Sequence, residues 1–536
     1  MILITSGAYL GPEFTSELGL LPPAFLPVGN KRLFRLQAEE LARFGEPVAL
    51  SLPESFRIPA RDKAALSDLG VLTVPVPEGL SLSESILHVL CACPDGAPCQ
   101  RILHGDTLLY GLPGDLDIYT IDQTSAYYCW AMPGADQDGK PVIAEGLGRT
   151  GQSREVLSGY FAFSDRGLLM RSLALSRGSF VAALNAYASN RDLRPARAGR
   201  WFDFGHLHTF HQSKAHITTQ REFNSLAISP ATVTKTSANG AKMEAEAAWF
   251  EALPPDLRLN APRFIRRIPS GYELEYLHLC TLSELMVFGD LPGIVWMQIM
   301  EACSRFLGRC RQTPAPAGTR KASLGLYLPK TLARLEAFAA STGLSLDHPW
   351  TVNGRQLPGL RQAATLAAEF IPAPDGRDLC LTHGDFCFSN ILYDFRRQDI
   401  LVIDPRGQDA SGAPSVFGDI RYDLAKLYHS AASGYDFIKA DACRLTRSAP
   451  YRLEAELPVS SRMQDIREAC LAKVLEPSGT GLNAIKAIAA QLFLSMLPLH
   501  ADNPGHQMAL LATGLGIVFG PDGLLAGGRA ETHLAA

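Results

Sequence analysis

LCLTHGDFCFSNILYDFRRQDILVIDPRG, residues 379–407, sets Asp385 in a turn, Asn390 five positions later and Asp404 at the end of an apolar run. Residues 379–382 read as a short strand, 383–390 as a loop, and 391–393 with 400–403 as a hairpin about the charged turn 395–399. A closed hairpin returns both of its ends to one place, so the three polar side chains are expected to meet. Their chemistry suits phosphoryl transfer, which holds an acceptor hydroxyl in line with a γ-phosphate and neutralises the triphosphate with magnesium. Asp385 is the candidate catalytic base for the hydroxyl proton. Asn390 and Asp404 are the candidate metal ligands, offering the hard oxygen donors that Mg²⁺ prefers.

A Gly-Asp turn, or a buried strand ending in Asp, would mean little alone. Taken in order, His383-Gly384-Asp385, Asn390 and Ile403-Asp404 resemble the aminoglycoside phosphotransferase and choline kinase group, a branch of the protein-kinase-like fold, and the Asp-x-x-x-x-Asn spacing is that of the kinase catalytic loop. The resemblance implies ATP as co-substrate and a strand lysine, held by a helix glutamate, on the α- and β-phosphates. Residues 232–236, TVTKT, alternate as a strand does; 237–240 read as a turn and 241–253 as a helix. Lys235 is the candidate nucleotide-binding lysine and Glu246 its partner, with Glu244 the alternative. Residues 271–277 read as the strand entering the hinge between two lobes, where the backbone of 275–277 meets the adenine edge. Residues 292–311, 332–342, 462–475 and 482–499 read as helices, and the interrupted stretch 343–375 is expected to cover the acceptor site. Asp423, in a helix starting near residue 418, is expected to brace the loop or cap the helix; Arg406 is expected to contact phosphate or acceptor.

A chain of 536 residues exceeds one hydrophobic core and implies two or three domains. Hydrophobic content of 47% and charged content of 19% are ordinary for a soluble globular protein. A net charge of -4 gives no electrostatic reason to expect nucleic acid or an anionic membrane as partner. The start, MILITSGAYLGPEF, reads as a strand, without the basic and apolar regions of a signal peptide. No apolar run approaches the roughly 18 residues of a membrane span. Eleven cysteines are scattered, with Cys91, Cys93 and Cys99 the only close group. Ordinary reduced thiols and a cytoplasmic protein are the expectation.

In the amino-terminal part, residues 1–6, 47–52 and 70–75 read as strands and 31–44 and 81–90 as helices, with Ser81 or Ser83 as N-cap and a loop between 7 and 26. The alternation argues for a doubly wound α/β sheet of mainly parallel strands, with ligands beyond the carboxyl ends of the strands. Two acids are placed to share a divalent metal there: Asp106, closing the apolar run 101–104 with Gly105, and Asp203, in Trp-Phe-Asp-Phe-Gly at 201–205. His206, His208, His211 and His216 follow without partner cysteines and read as helix or loop residues near a phosphate site.

With Phe25-Leu26-Pro27-Val28-Gly29-Asn30-Lys31, these pieces are similar to the sugar-1-phosphate nucleotidyltransferases over roughly residues 1–222. The resemblance implies Gly7 and Lys31 as cofactor-binding residues and Asp106 and Asp203 as metal ligands. It also implies CTP, GTP or UTP as a second nucleotide. Two departures stand out. The family's Gly-x-Gly-x-Arg loop reads Gly7-Ala8-Tyr9-Leu10-Gly11-Pro12-Glu13 here, and Pro23 stands where its lysine would be. Glu13 and Glu17 in that loop repel phosphate unless a cation compensates.

The combined reading is a nucleotidyltransferase-like domain, 1–222, followed by a bilobal kinase-like domain, 223–536, with an N-lobe to about residue 280. A small-molecule sugar or polyol would be phosphorylated from ATP and then coupled to a nucleotide. By resemblance this serves bacterial capsule or other surface polysaccharide. The alternative is a sugar or alcohol kinase whose front domain is catalytically silent. Acceptor, base preference and oligomeric state are open.

Overall fold

The computed structural model describes residues 1–93, 100–135, 137, 141–147, 153–217, 220–221, 224–409, 411–458 and 460–526. Contacts divide the chain into two compact units, Met1–Thr218 and Thr219–Ala536.

The first unit is built on a seven-stranded sheet with Ile2–Thr5 inside it. Val48–Pro53 and Gln100–His104 run parallel on its two sides, and Val71–Val76 continues the parallel set to one edge. On the other side Arg154–Phe163 lies antiparallel between Gln100–His104 and Ile118–Thr124, and Arg194–Ala196 forms the far edge. The two-residue period explains the layering. Ile2, Ile4, Leu103 and Tyr160 enter one apolar cluster, while Leu3, Ile102 and Phe161 enter a second on the opposite face. A sheet buried on both faces needs helices on both. Leu33–Leu41 packs its Phe34, Ala38 and Leu41 on the first, and Leu82–Ala92 packs Ile86, Val89 and Leu90 on the second. Ser81, not Ser83, caps the latter: its Oγ accepts the Glu84 N–H while Glu84 accepts the Ser81 N–H.

The stretch 7–26 is more ordered than the expected loop. Pro12 starts a helix, Pro12–Leu18, and Pro23–Phe25 forms a 3-10 turn. Proline at a first helical turn loses no hydrogen bond, so Pro12 and Pro23 start these elements rather than interrupt them. Cys99 lies outside the described residues, so only Cys91 and Cys93 of its group can be placed, both as free thiols.

In the second unit, a five-stranded antiparallel sheet runs in the order Gln220–Arg221, Asn224–Ile228, Thr232–Thr236, Gly271–Glu275, Phe264–Ile268. Helix Gly240–Ala252 accompanies it, capped by the Asn239 side chain on the Lys242 N–H. The α-rich remainder includes Leu282–Phe288, Gly293–Arg311, Leu328–Thr342, Ile420–Ala431, Leu482–Ser495 and Pro504–Phe519. Residues 343–375 are less loop-like than expected. Trp350–Val352 and Arg355–Leu357 join Arg444–Ala449 and Arg452–Glu456 in a four-stranded sheet, and Leu360–Ala368 is a helix. Trp350, Leu357 and Leu360 enter a core with Phe493, Leu510 and Leu515. No helix among the described residues is long and apolar enough to cross a membrane.

One close approach fixes the pairing of Thr232–Thr236 with Gly271–Glu275. A Cβ on Gly271 would overlap the Lys235 carbonyl oxygen of the paired strand. Gly271→Ala is therefore expected to cost about 1–3 kcal/mol by overpacking. The check is the denaturant midpoint of the second unit's transition, which an innocuous substitution would leave in place.

Candidate active site

In the second unit the quoted stretch folds as a strand, a loop and a hairpin. Leu379–Leu381 pairs with Phe417–Asp419, a 3-10 turn closes the loop at Phe388–Asn390, and Ile391–Asp394 pairs antiparallel with Asp399–Val402. The Ile403 N–H donates to the Asn390 carbonyl at 3.0 Å, which ties the two ends of the hairpin together. Asn390 Nδ2 donates to Asp385 Oδ2 at 2.9 Å. Its amide carbonyl, which accepts a long bond from Ser389 Oγ at 3.4 Å, is thereby the end that can turn to a cation. Asp404 takes a left-handed backbone (φ 55°) at the hairpin's exit, and its Oδ1 accepts from Lys235 Nζ at 3.0 Å.

Lys235 is buried and lies 2.6 Å from Glu246 Oε2. Tyr272, opposite Lys235 in the sheet, donates its hydroxyl to the same oxygen at 2.7 Å. Burial alone would lower the Lys235 pKa, but the Asp404 and Glu246 charges outweigh it and raise it. Glu244 instead pairs with Arg267 on the exposed side of the helix. The Asp404–Gly407 bend is held against this helix: a Cβ on Gly407 (φ 63°) would overlap the Ala245 carbonyl oxygen. Trp249 Nε1 donates to the Thr382 carbonyl at 2.8 Å and links the same helix to the loop.

Below the loop lies helix Ile420–Ala431. Asp423 accepts the His383 and Gly384 N–H groups, both at 2.8 Å, so it braces the turn rather than capping its own helix. Burial pushes its carboxyl up to about 7 against the pull of those donors. Asp419 is the cap, accepting the Arg421 N–H at 3.0 Å. One turn on, Lys426 Nζ lies 2.8 Å from Asp385 Oδ1. Burial would raise the Asp385 carboxyl; Lys426, His383 and the Asn390 amide overcome it and hold it at about 2. Lys426 was not among the residues singled out from sequence. Its signal was the three-residue spacing from Asp423, which puts both side chains on one helix face.

The hinge expectation is modified. The Glu275 and Tyr276 N–H groups donate to the Arg263 and Ala231 carbonyls at 3.0 and 2.9 Å, so those two donors are spent within the lobe. A cavity of about 240 Å³ beside His383 and Gly384 is lined by residues from 318–326 and 406–422. Residues 343–375 line none of it.

In the first unit the two acids converge. Thr107–Tyr110 pairs with Arg200–Asp203, and the Phe204 N–H donates to the Asp106 carbonyl at 2.8 Å. A Cβ on Gly205 would lie 2.9 Å from Asp106 Oδ2 and 3.3 Å from Asp203 Oδ1. Burial, with the Asp106 charge alongside, pushes the Asp203 carboxyl up to about 7. Asp203 Oδ2 is buried without a hydrogen-bond partner among the described residues, and a divalent cation would satisfy it. The turn bearing Asp106 crosses the end of the central strand, where a Cβ on Gly105 would overlap the Thr5 carbonyl oxygen. It is clamped by Gln37, whose Nε2 donates to the carbonyls of His104, Gly105 and Thr107 at 3.1, 3.2 and 2.7 Å.

The cofactor candidates of this unit sit less directly. Lys31 pairs with Glu39 at 3.1 Å, half exposed. Gly7 is boxed by packing: a Cβ there would lie 2.7 Å from Ser85 Oγ and 3.3 Å from Val76. Glu13 accepts the Leu207 N–H at 3.2 Å at the start of helix Leu207–Ile217, so its charge faces the positive end of that helix. His206 stacks on Tyr128 at 3.5 Å, and His208 bonds Gln212 at 2.9 Å.

Residues 221–456 match the sequence model of the phosphotransferase enzyme family, so the second unit carries a kinase-like phosphotransferase domain. No curated protein matches the chain significantly. Among solved structures, a nucleoside-diphosphate-sugar pyrophosphorylase from Vibrio cholerae RC9 is 12% identical, covering 40% of this chain and 99% of its own, with a TM-score of 0.32. An aminoglycoside-3'-phosphotransferase of type VIII is 15% identical over 53% of this chain and 99% of its own, with a TM-score of 0.33. A choline/ethanolamine kinase family protein from Mesorhizobium loti is 13% identical over 59% and 90%, with a TM-score of 0.34.

Gln37 was also missed from sequence, hidden in an amphipathic helix as one more polar position. Gln37→Leu strips three buried carbonyls of their donor and is expected to cost about 1–3 kcal/mol or more. A lowered thermal midpoint for the first unit, with the second unit's transition unmoved, is the expected outcome.

Proposed function

We propose that the chain is a bifunctional enzyme: an ATP-dependent small-molecule kinase in the second unit, feeding a nucleotidyltransferase in the first. The observation that carries the kinase reading is the joining of Lys235, Glu246 and Asp404 into one charge network beside the Asp385–Asn390 pair. In this reading Lys235, fixed by Glu246 and Tyr272, holds the α- and β-phosphates of ATP. Magnesium held by Asn390 and Asp404 would neutralise the triphosphate. Asp385 orients the acceptor hydroxyl. The hydroxyl oxygen bonds to the γ-phosphorus, the bond from that phosphorus to the bridging oxygen breaks, and ADP leaves with the electron pair. The hydroxyl proton passes to Asp385. A carboxyl held near 2 is ionised at neutral pH but weakly basic, so the proton moves late, once the new bond has acidified the alcohol.

In the first unit, Asp106 and Asp203 together suit a divalent cation on a second triphosphate, CTP, GTP or UTP. The product would be a nucleotide-activated sugar or polyol of the kind used for surface polysaccharide, a destination supported only by sequence resemblance. A specific observation favours a second reading, in which this unit binds without reacting. Lys31 is drawn to Glu39, and the loop after Gly7 turns into a helix whose Glu13 is committed to the Leu207 N–H.

With purified protein, ATP and a panel of sugars and polyols, Asp385→Asn is expected to lower ADP release about 100- to 10,000-fold. Asp106→Asn is expected to abolish pyrophosphate release from added CTP, GTP or UTP while ADP release persists. Pyrophosphate absent from wild type with every nucleotide would select the silent front unit. The charge on Lys426 adds a pH test. Without it the Asp385 carboxyl rises from about 2, more of it is protonated in mild acid, and Lys426→Met moves the acid limb of the kcat/KM profile to higher pH. An unmoved limb would remove Lys426 from the chemistry.

A further inference from the structure

On the loop's acceptor side, positive charge gathers around one tyrosine. Lys330 Nζ lies 5.5 Å from the centre of the Tyr422 ring and 3.4 Å from its hydroxyl. The Arg406 guanidinium lies 5.7 Å from the same ring. The Arg406 stem packs on Gly384, where a Cβ would lie 2.6 Å from the arginine Cβ. Arg334, one helical turn beyond Lys330, donates to the Ser495 carbonyl at 3.1 Å. Lys426, one turn beyond Tyr422, completes the group.

The negative charges nearby are committed elsewhere. Asp385 holds Lys426 at 2.8 Å, and Asp419 holds Arg421 at 2.6 Å. Asp409 feels the Arg406 charge, but its Oδ1 accepts from Ser411 and Ala413 in its own turn. Among the described residues, Lys330, Arg334 and Arg406 form no ion pair with a carboxylate. Burial lowers the Lys330 pKa, and the Arg406, Arg334 and Lys426 charges press it further in that direction against the tyrosine. Burial would raise the Tyr422 hydroxyl, yet Lys330, Lys426 and Arg406 bring it below its usual value. Like charges held together in a partly buried place are costly unless an anion joins them. Arg406 and Tyr422 also line the cavity beside His383 and Gly384, with Thr319, Ser323, Gln408 and Ser415 as hydrogen-bonding wall.

We propose that the kinase acceptor is an anion: a sugar or polyol bearing a carboxylate or a phosphate, which Arg406 and Lys330 hold at Tyr422 while a hydroxyl of the same molecule faces Asp385. The proposal rests on the kinase reading for the hydroxyl but not for the anion. Arg406 supplies planar, two-pronged donors suited to either group, and Lys330 a point charge. The site thus excludes cationic acceptors by repulsion as it selects anionic ones.

The test pairs acceptors that differ in one charged group. Glycerol is set against glycerate and glycerol 3-phosphate, glucose against glucuronate and glucose 6-phosphate, and choline serves as the cationic member. Binding to the full chain is followed by calorimetry with magnesium and a non-hydrolysable ATP analogue, and turnover by ADP release with ATP. At least one anion is expected to bind about 10- to 100-fold tighter than its neutral congener, as for hydrogen bonds to charged groups. The carboxylate and phosphate arms tell which anion is meant. In Arg406→Gln and Lys330→Gln that preference is expected to vanish, with KM for ATP unchanged. A neutral or cationic member binding as well as every anion, or no anion exceeding its congener, would overturn the proposal. So would variants that raise KM for ATP instead, which would assign the cluster to the nucleotide. The wild-type comparison needs no variant to fold. Anion binding without any ADP release would sink the kinase reading alone.

Discussion

The second unit depends on an ammonium group placed between two carboxylates from different parts of the chain. Lys235 belongs to the antiparallel sheet, Glu246 to the helix after it and Asp404 to the far end of a hairpin 169 residues away. Lys235 and Glu246 are buried together, and removing one partner from such a pair leaves an uncompensated charge and typically costs about 3–5 kcal/mol, while the half-exposed Asp404 joins them from the open side. Each therefore enforces the position of the others. Tyr272 and the contact of Gly407 with the Ala245 carbonyl narrow the arrangement further. The charge network thus joins sheet, helix and loop in one site, alongside the packing of Trp249 against the loop.

The first unit reaches a comparable end by different means. Its central strand is buried on both faces, so only its carboxyl end is open to a polar site. The Gly105–Asp106 turn closes over that end because glycine lets the two backbones approach. Gln37 then fixes the turn through three carbonyls, and the strand Arg200–Asp203 brings the second acid alongside. Here burial, with the Asp106 charge alongside, makes Asp203 hold its proton more tightly.

The sequence was most legible where spacing is chemistry. The interval from Asp385 to Asn390 and the apolar run before Asp404 specify a loop and a hairpin, and the side chains meet because the hairpin closes. Glu246 was preferred to Glu244 by resemblance, and the structure places Glu246 on Lys235 while Glu244 pairs with Arg267. Lys426 and Gln37 were harder to find: each acts through tertiary contacts with groups 41 and 67–70 residues away, and only Lys426 carries a local mark, its spacing from Asp423. Helix Pro504–Phe519 was missed for another reason. It is apolar nearly all round, with Gly505, Gly514 and Gly516, and buried on most sides, so no amphipathic period shows. Residues 343–375, broken by proline and glycine, looked like a cover and instead fold around Trp350.

Helix Ile420–Ala431 is buried at every one of its 12 positions, and it carries both the brace and the counter-ion of the loop above. An α-helix turns about 100° per residue, so three residues separate Asp423 and Lys426 by about 60° and one short rise. That single turn works as a ruler: it sets the height of the His383–Gly384 backbone and the lateral position of the Asp385 carboxylate from the same origin. Loop geometry is thereby inherited from a rigid rod rather than from the loop's own conformational preferences, and the rod's Ser430 reaches the next stretch too, accepting the N–H of the fully buried Phe388.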